Sequence, residues 1–438
     1  VSQAQAAAEL SEAEALASWH APHGASYQGG NEVRLLRGGD ELFPLQNEAI
    51  RHALHEVWLA TYIFNDDVAG RELAQALLAA AARGVRVRVV VDGFGSKASL
   101  PWLRQAFAGS QVALAVFRPI DRWWRWLQPG QLRRLHQKLC VIDGLQGFVG
   151  GINIVDDRID INKGPTDQPR LDFAVGLRGP IVQGVAQAAR AVWTRAWLGR
   201  DFGEELRALV RSPEPVARLR RLAQRLRMPR GASLWRRSAE PESPQPPVCA
   251  AFVLRDNLRQ RRTIERAYIE AIRGARQQVD LVTPYFYPGQ AFRRALRDAA
   301  RRGVTVRLLL QGKLDYRIAG LAAQALYAEL LGHGVQIFEY TPAYLHAKVG
   351  VVDQAWATVG SSNIDPLSLL LNLEANVIVR DAPFAQTVAT QFAAALAVSR
   401  QVELKTLGGS GLAGMLRRAL VAWGAYVYLR VAGATGRY

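Results

Sequence analysis

The sequence predicts a duplicated α/β protein, two similar lobes each built from a sheet flanked by helices. Three observations lead there. The pattern His-x-Lys-x4-Asp occurs twice, in "RLHQKLCVID" (134–143) and in "YLHAKVGVVD" (344–353). The segment "LLAAAARGVRVRVVVDG" (77–93) resembles "LRDAARRGVTVRLLLQG" (296–312). Strand-like and helix-like patterns alternate in both halves, the mark of a layered α/β unit with a largely parallel sheet.

Each element follows from its local pattern. Residues 1–30 carry neither a basic n-region nor a long apolar stretch, so they are expected to form an arm and not a signal peptide. The first lobe is expected over 31–210. Its strand candidates are "VWLATYIF" (57–64), the β-branched run ending at Gly93, and "VALAVF" (112–117). The second lobe is expected over 249–403, with "QVDLVTPYF" (278–286), the run ending at Gly312, and "GVQIFEY" (334–340). In each half an amphipathic helix stops at Arg-Gly before a strand. Residues 211–248 are Pro-rich at both ends and Arg-rich between, and read as a linker. Within it, 217–228 reads either as a solvated connector helix or as a basic amphipathic helix against anionic headgroups. The tail, 404–438, contains "GMLRRALVAWGAYVYLRVAG", too short an apolar run to span a bilayer. Its Trp, Tyr and flanking Arg suit a membrane interface, and docking on the core is the rival reading.

Composition limits the partners. Lys and Arg outnumber Asp and Glu 55 to 38, a net charge of +17. That surplus suits nucleic acid, a membrane surface or a phosphorylated substrate. Only six residues are lysine, and two of them, Lys138 and Lys348, stand in the repeated motif. A compact ammonium is not interchangeable with guanidinium. The two cysteines, Cys140 and Cys249, give no disulfide framework and no zinc spacing. Cys140 lies in an apolar run and is expected to be a small buried hydrophobe.

The repeat extends past the aspartates. "GGIN" (150–153) and "GSSN" (360–363) put Asn153 and Asn363 seventeen residues after His136 and His346. In a strand His136 and Lys138 share one face, as do His346 and Lys348. The glycines let the following turn approach closely and bring each Asn beside that face. Asp172 in "LDFAV" and Glu374 in "LEANV" each sit in an apolar strand-like run. A carboxylate there needs a partner, and a His ring nitrogen is the natural one. Two copies in register make coincidence negligible, and a satisfied core histidine does not explain the pairing.

These motifs resemble the double His-Lys-Asp signature of the phospholipase D superfamily. The resemblance covers about 31–403. Within the superfamily the chain looks most like the bacterial cardiolipin synthases, of the shorter B type without an N-terminal membrane anchor. "TYIFNDDVAG", "DFAVGLRGPIV", "TPYFYP" and "GSSNIDPLSLLLNLEANV" carry it. There are departures. Ala60 stands where many relatives carry Glu, and "DPLS" replaces a commoner form with Arg, which removes a possible phosphate contact.

The resemblance implies a phospholipase D-type fold, two pseudo-twofold-related mixed-sheet lobes with one shared active site. It implies His136 as the nucleophile and His346 as the acid and base. Lys138, Lys348, Asn153 and Asn363 would hold phosphoryl oxygens. Asp172 would orient His136, Glu374 would orient His346, and Asp143 and Asp353 would brace the site at one remove. No metal or other cofactor is implied, since the lysines supply positive charge. The implied partners are anionic phospholipids, phosphatidylglycerol and cardiolipin, at a membrane surface. The implied location is the cytoplasmic side of the bacterial inner membrane, peripheral or monotopic. A loop of interleaved Trp and Arg, 120–131, precedes His136 and suits a bilayer interface. Core packing and nucleic-acid stacking are the other readings of that loop. Phosphatidyl transfer from one phosphatidylglycerol to another is the reaction expected. A phospholipid hydrolase and a nuclease-like phosphodiesterase are the alternatives, and nucleic acid is the less favoured substrate. Sequence leaves the oligomeric state open.

Overall fold

The computed structural model describes residues 25–119, 133–161, 164–210, 248–255, 262–313, 326–365 and 372–404. The Trp-rich loop 120–131, the linker helix at 217–228, Leu367 of "DPLS" and the C-terminal aromatic run lie outside the described residues.

The first half contributes β1 (Gln28–Arg37), β2 (Glu56–Thr61), β3 (Arg86–Asp92), β4 (Ala113–Phe117), β5 (Leu139–Ile142) and β6 (Gln146–Gly150). A short hairpin of β7 (Ile159–Asp160) and β8 (Gly164–Pro165) follows, then β9 (Phe173–Arg178). The second half repeats the order with β10 (Val248–Arg255), β11 (Gln278–Thr283), β12 (Thr305–Gln311) and β13 (Gln336–Tyr340). It continues with β14 (Val349–Val352), β15 (Trp356–Gly360) and β16 (Glu374–Arg380), and ends at β17 (Ser399–Val402).

All the long strands form one sheet, ordered β17-β13-β12-β11-β14-β15-β16-β10-β1-β9-β6-β5-β2-β3-β4. Apart from β17 the order is palindromic about the β10–β1 junction, so a pseudo-twofold axis passes between those strands. They pair antiparallel, with Gln28 opposite Ala250 and Asn31 opposite Val248. The expectation of a largely parallel sheet needs correcting. Only β2-β3-β4 and β11-β12-β13 run parallel. β5, β6 and β9, like β14, β15 and β16, are antiparallel. The reason is local: β5 and β6 are joined by a tight turn, a connection only antiparallel neighbours allow.

The repeated Arg-Gly stops are real. Helices Val68–Ala82 and Gln290–Arg301 end at Arg83 and Arg302. The next residues, Gly84 and Gly303, have φ of 89° and 88°, a left-handed turn that glycine enters without a Cβ clash. The same turn then feeds β3 and β12.

Helices cover both faces. Gly38–Arg51 and Val68–Ala82 close a core on the outer face of the first lobe, and Thr263–Gly274 and Gln290–Arg301 do so for the second. A third core is shared. Ile181, Val185 and Val192 of helix Ile181–Val210 meet Phe384, Val388 and Phe392 of helix Ala382–Ala397, together with strand residues from both lobes. This shared layer packs the two lobes against each other, each large apolar side chain contributing about 1.5–3 kcal/mol when buried. Among the described residues no helix is long and apolar enough to cross a membrane.

Candidate active site

The two motifs lie at the pseudo-twofold axis. His136 to Lys138 run extended just ahead of β5, and His346 to Lys348 just ahead of β14. Both stretches are pinned to the opposite lobe by backbone bonds. The His136 amide donates to the Leu373 carbonyl at 3.1 Å, and the Leu373 amide to Arg134 at 2.9 Å. The amides of His346 and Ala347 donate to Leu171 at 2.9 and 3.0 Å. Leu135 thus bridges Leu373, and Leu171 bridges Leu345, each in parallel.

That stitching decides the carboxylate partners. His136 Nδ1 lies 3.0 Å from Glu374 Oε2, and His346 Nδ1 lies 2.6 Å from Asp172 Oδ2. The expectation of pairing within each lobe is therefore corrected: each histidine is oriented by the carboxylate of the other half. Leu373 and Leu171 immediately precede those carboxylates, so the inter-lobe bridges deliver them. With Nδ1 donating its proton to a carboxylate, the Nε2 lone pair of each ring is exposed to a substrate.

The lysines are buried, Lys138 6% and Lys348 1% exposed. Lys138 Nζ donates to the His136 carbonyl at 2.7 Å, and Lys348 makes the same bond to His346. Burial pushes Lys138 down to about 7 and Lys348 to about 8, against the pull of Glu374 and Asp172. Burial also lowers both histidines, so both are neutral bases in the substrate-free site. His346 is held further down by Lys348, Lys138 and Arg170.

The two carboxylates differ. Burial drives Asp172 up to about 6 despite Lys348 beside it. Glu374 is equally buried yet held below its usual value by His136, Lys138 and the hydroxyl of Ser361, which donates to it at 2.5 Å. The first lobe has Gly151 where the second has Ser361. A Cβ added at Gly151 would run into the Asp172 carboxylate, so no hydroxyl can serve there.

Asn153 and Asn363 close the turns after β6 and β15, 6% and 7% exposed. Asn153 Oδ1 accepts from the Ile63 amide at 3.3 Å, while Asn363 Oδ1 is buried with no partner among the described residues. The preceding glycines are required. Side chains at Gly150 and Gly360 would overlap Ala174 and Asn376 on the neighbouring strands.

Asp143 and Asp353 are elsewhere. They follow β5 and β14 at the ends remote from the histidines, roughly 20 Å away at about 3.3 Å per extended residue. Both are left-handed, with φ of 53° and 50°. Asp143 accepts from the amides of Leu54, His55 and Glu56 at 2.7–2.8 Å. Asp353 accepts from Arg276, Gln277 and Gln278, each at 2.8 Å. They clamp a β-turn to the start of β2 or β11 and do not line the site, which corrects the expectation that they brace it at one remove. Their constant spacing from the motif follows from strand length.

The shared site brings two imidazole rings, two lysine side chains and two inter-lobe carboxylates together between the lobes. A family model described as "Cardiolipin synthase, PLD-like domain" matches residues 47–163 and 268–396, one copy per lobe. The chain belongs to the PLD-like cardiolipin synthase family. It is 39% identical over 368 residues to cardiolipin synthase B of Escherichia coli K12, covering 83% of this chain and 80% of that protein. It is 34% identical over 359 residues to cardiolipin synthase A of Pseudomonas fluorescens SBW25, covering 82% and 67%. The fold also resembles the phosphatidylserine synthase of Haemophilus influenzae Rd KW20, with TM-score 0.60, 12% identity and coverage of 93% and 95%.

Against the family's double motif, three site features were not found by sequence reasoning. Ser361 stands in "GSSN", where only the glycine and the asparagine carry the repeat. Tyr62 packs edge-on to His136 with ring centroids 5.2 Å apart, and Lys138 Nζ lies 5.6 Å from the same ring. Its counterpart after β11 is Pro284, so "TYIF" against "TPYF" was the available signal. Arg170, two residues before Asp172, also acts on His346 and Lys348. Of the residues the sequence did single out, Ala60 is fully buried and lines a small cavity beneath Lys138 with Gln46, Thr61 and Cys140. Cys140 is buried as expected, and burial raises its thiol to about 12, leaving it inert.

Proposed function

We propose that this protein is a cardiolipin synthase that transfers a phosphatidyl group between two phosphatidylglycerol molecules through a phosphohistidine on His136. The observation that carries the reading is the crossed pairing of His136 with Glu374 and His346 with Asp172. Two oppositely placed, carboxylate-oriented imidazoles suit a two-step displacement at one phosphorus.

In the first step His136 Nε2 attacks the donor phosphorus. The bond to the headgroup glycerol oxygen breaks, and that oxygen takes its proton from His346. In the second step neutral His346 takes the proton from the acceptor's hydroxyl. The hydroxyl oxygen attacks phosphorus, the P–N bond breaks, and His136 recovers its lone pair. Lys138, Lys348, Asn153 and Asn363 stabilise the phosphoryl oxygens as charge builds up. The bound phosphodiester anion counters the cations that depress His346 and lets it carry a proton. The better-ionised carboxylate, Glu374, stands behind His136, where the phosphohistidine needs a strong acceptor for its Nδ1 proton. That difference supports His136 over His346 as the nucleophile.

The net charge of +17 supports peripheral association with anionic lipid on the cytoplasmic face of the inner membrane. The test uses the purified full chain with phosphatidylglycerol vesicles in excess EDTA. Cardiolipin and glycerol are expected in equal amounts. Phosphatidic acid as the main product would make it a hydrolase. Cleavage of single-stranded DNA without lipid turnover would make it a nuclease. Activity lost to EDTA and restored by a divalent ion would refute the metal-free chemistry.

A further inference from the structure

Arg170 is a cation outside the double motif that the fold brings to its second half. The Arg170 amide donates to Asp157 and the Leu171 amide to Tyr344, both at 2.9 Å. Leu171 and Leu345 are bridged in parallel and enter the shared core together. In-register parallel neighbours project the same way, and alternate residues project oppositely. Arg170 and Asp172 therefore share a side with Tyr344 and His346, as the Asp172–His346 bond requires. An Arg170 Nη2 donates to the Ile159 carbonyl at 2.9 Å, which fixes the guanidinium against the β7–β8 hairpin. The side chain is partly exposed.

A second cation stands across Tyr344. Lys313, exposed just beyond β12, donates to the Pro342 carbonyl at 3.0 Å, and its Nζ lies 6.0 Å from the Tyr344 ring centroid. The His136 side is built differently. Asn372 stands in the place of Arg170 and Phe94 in that of Lys313, while Arg134, the counterpart of Tyr344, is 8% exposed, faces Asp92 at 3.8 Å and donates to the Arg118 carbonyl. Two cations thus lie about Tyr344 on the His346 side, and neither has a charged counterpart on the His136 side.

We propose that Arg170 and Lys313 hold the phosphodiester of the acceptor lipid, the second anion in the reaction. This rests on the transferase reading above. Lys138 and Lys348 are committed to the phosphoryl group being transferred. An acceptor phosphatidylglycerol carries its own phosphate one glycerol length from the attacking hydroxyl, so that charge needs separate cations close to the base. The Arg170 guanidinium on the His346 side, with the Lys313 ammonium near the Tyr344 ring, meets that need. Neutral alcohols and water have no charge to place there, so the subsite selects for an anionic lipid acceptor.

The test is a competition in mixed micelles of phosphatidylglycerol and neutral detergent, with ethanol as the uncharged acceptor. The reading is the ratio of cardiolipin to phosphatidylethanol formed in one tube, which cancels differences in donor chemistry. Arg170→Gln is expected to lower the ratio about tenfold, the scale of one charge-assisted hydrogen bond. Arg170→Lys should recover part of it, and Lys313→Gln should lower it by a smaller factor. A ratio within twofold of the unsubstituted protein in both glutamine variants overturns the subsite. If Arg170→Gln forms neither product, the exposed Lys313→Gln decides by the same ratio. Failure of the unsubstituted protein to make cardiolipin sinks the transferase reading and the subsite together. Cardiolipin with an unmoved ratio sinks the subsite alone.

Discussion

His136 is oriented by Glu374, a residue 238 positions further along the chain and in the other lobe. Its counterpart His346 is oriented by Asp172, 174 positions earlier. Neither lobe therefore contains a complete histidine–carboxylate pair. The short inter-lobe bridges at Leu135–Leu373 and Leu171–Leu345 are part of the site and not only of the packing.

The crossing makes the two carboxylates separable by experiment. Glu374→Gln should slow formation of the covalent adduct, because the buried Nδ1 of His136 loses its anionic acceptor. Asp172→Asn should leave adduct formation with an activated donor largely intact and slow transfer to the acceptor. Losing a charged partner of a buried imidazole should cost roughly 10²–10⁴ in the affected step. Rapid-quench measurement of adduct and product separates the steps. Equal loss of both steps in both variants would mean the carboxylates act only through folding.

The lysines give a pH prediction. In the free protein Lys138 lies at about 7 and Lys348 at about 8, both lowered by burial. Anion binding needs them protonated, so kcat/KM should fall as pH rises above about 7 and more steeply above about 8. A bound phosphodiester raises both values, so the alkaline limb of kcat should lie at higher pH than that of kcat/KM. Stability has the opposite sign. A lysine whose folded pKa is below its unfolded value binds fewer protons when folded. The apo protein should therefore gain stability from its lysines as pH rises between about 7 and 10. Thermal unfolding across that range checks this. Coincident limbs for kcat and kcat/KM would count against substrate-linked lysine protonation.

Asp143 and Asp353 should behave as structural residues. Each carboxylate accepts three backbone amides at a left-handed turn. Replacing either by Ala removes these bonds and strains the turn, for a cost of about 2–4 kcal/mol. The variants should unfold at lower temperature yet keep near-normal kcat at 20 °C. Asp353 is held below its usual value by those amides, against the cost of its own burial. Its contribution is present above the unfolded value and is lost as pH falls through the folded one. A large loss of kcat in a well-folded Asp143→Ala protein would return that residue to the site.

What was legible in the sequence was what local spacing dictates. The His-Lys faces, the close-approach glycines and the Arg-Gly helix stops all lie within a few residues of one another, and the structure places them as read. Three-dimensional pairing was not legible. A spacing of 17 from His to Asn is the same whichever carboxylate reaches the ring, so nothing in either motif could reveal the crossing. The central strands β1 and β10 escaped for the same reason. β1, "QGGNEVRLLR", is mostly exposed or half-buried along its length, and its partners are β9 and β10, far along the chain. Asp143 and Asp353 misled because their spacing repeats as faithfully as that of the catalytic pair. A strand of fixed length between site and turn produces the same regularity as shared chemistry.

The last prediction concerns which histidine carries the lipid. The motif alone permits either, and the ring environments favour His136, backed by ionised Glu374 and Ser361. A donor whose leaving group is activated, such as a nitrophenyl phosphodiester of diacylglycerol, needs no proton from His346. With it, His346→Ala should accumulate the phosphatidyl adduct and turn over slowly, since no base activates the acceptor hydroxyl. His136→Ala should form no adduct with any donor, because the imidazole of His346 has its own partner in Asp172 and serves the opposite side of the phosphorus. The label is trapped with radioactive donor, digested under mildly basic conditions that preserve phosphohistidine, and mapped by mass spectrometry. Label on the peptide containing His346, or adduct in His136→Ala, would exchange the two roles. The crossed carboxylates would then exchange theirs as well, with Asp172 behind the nucleophile.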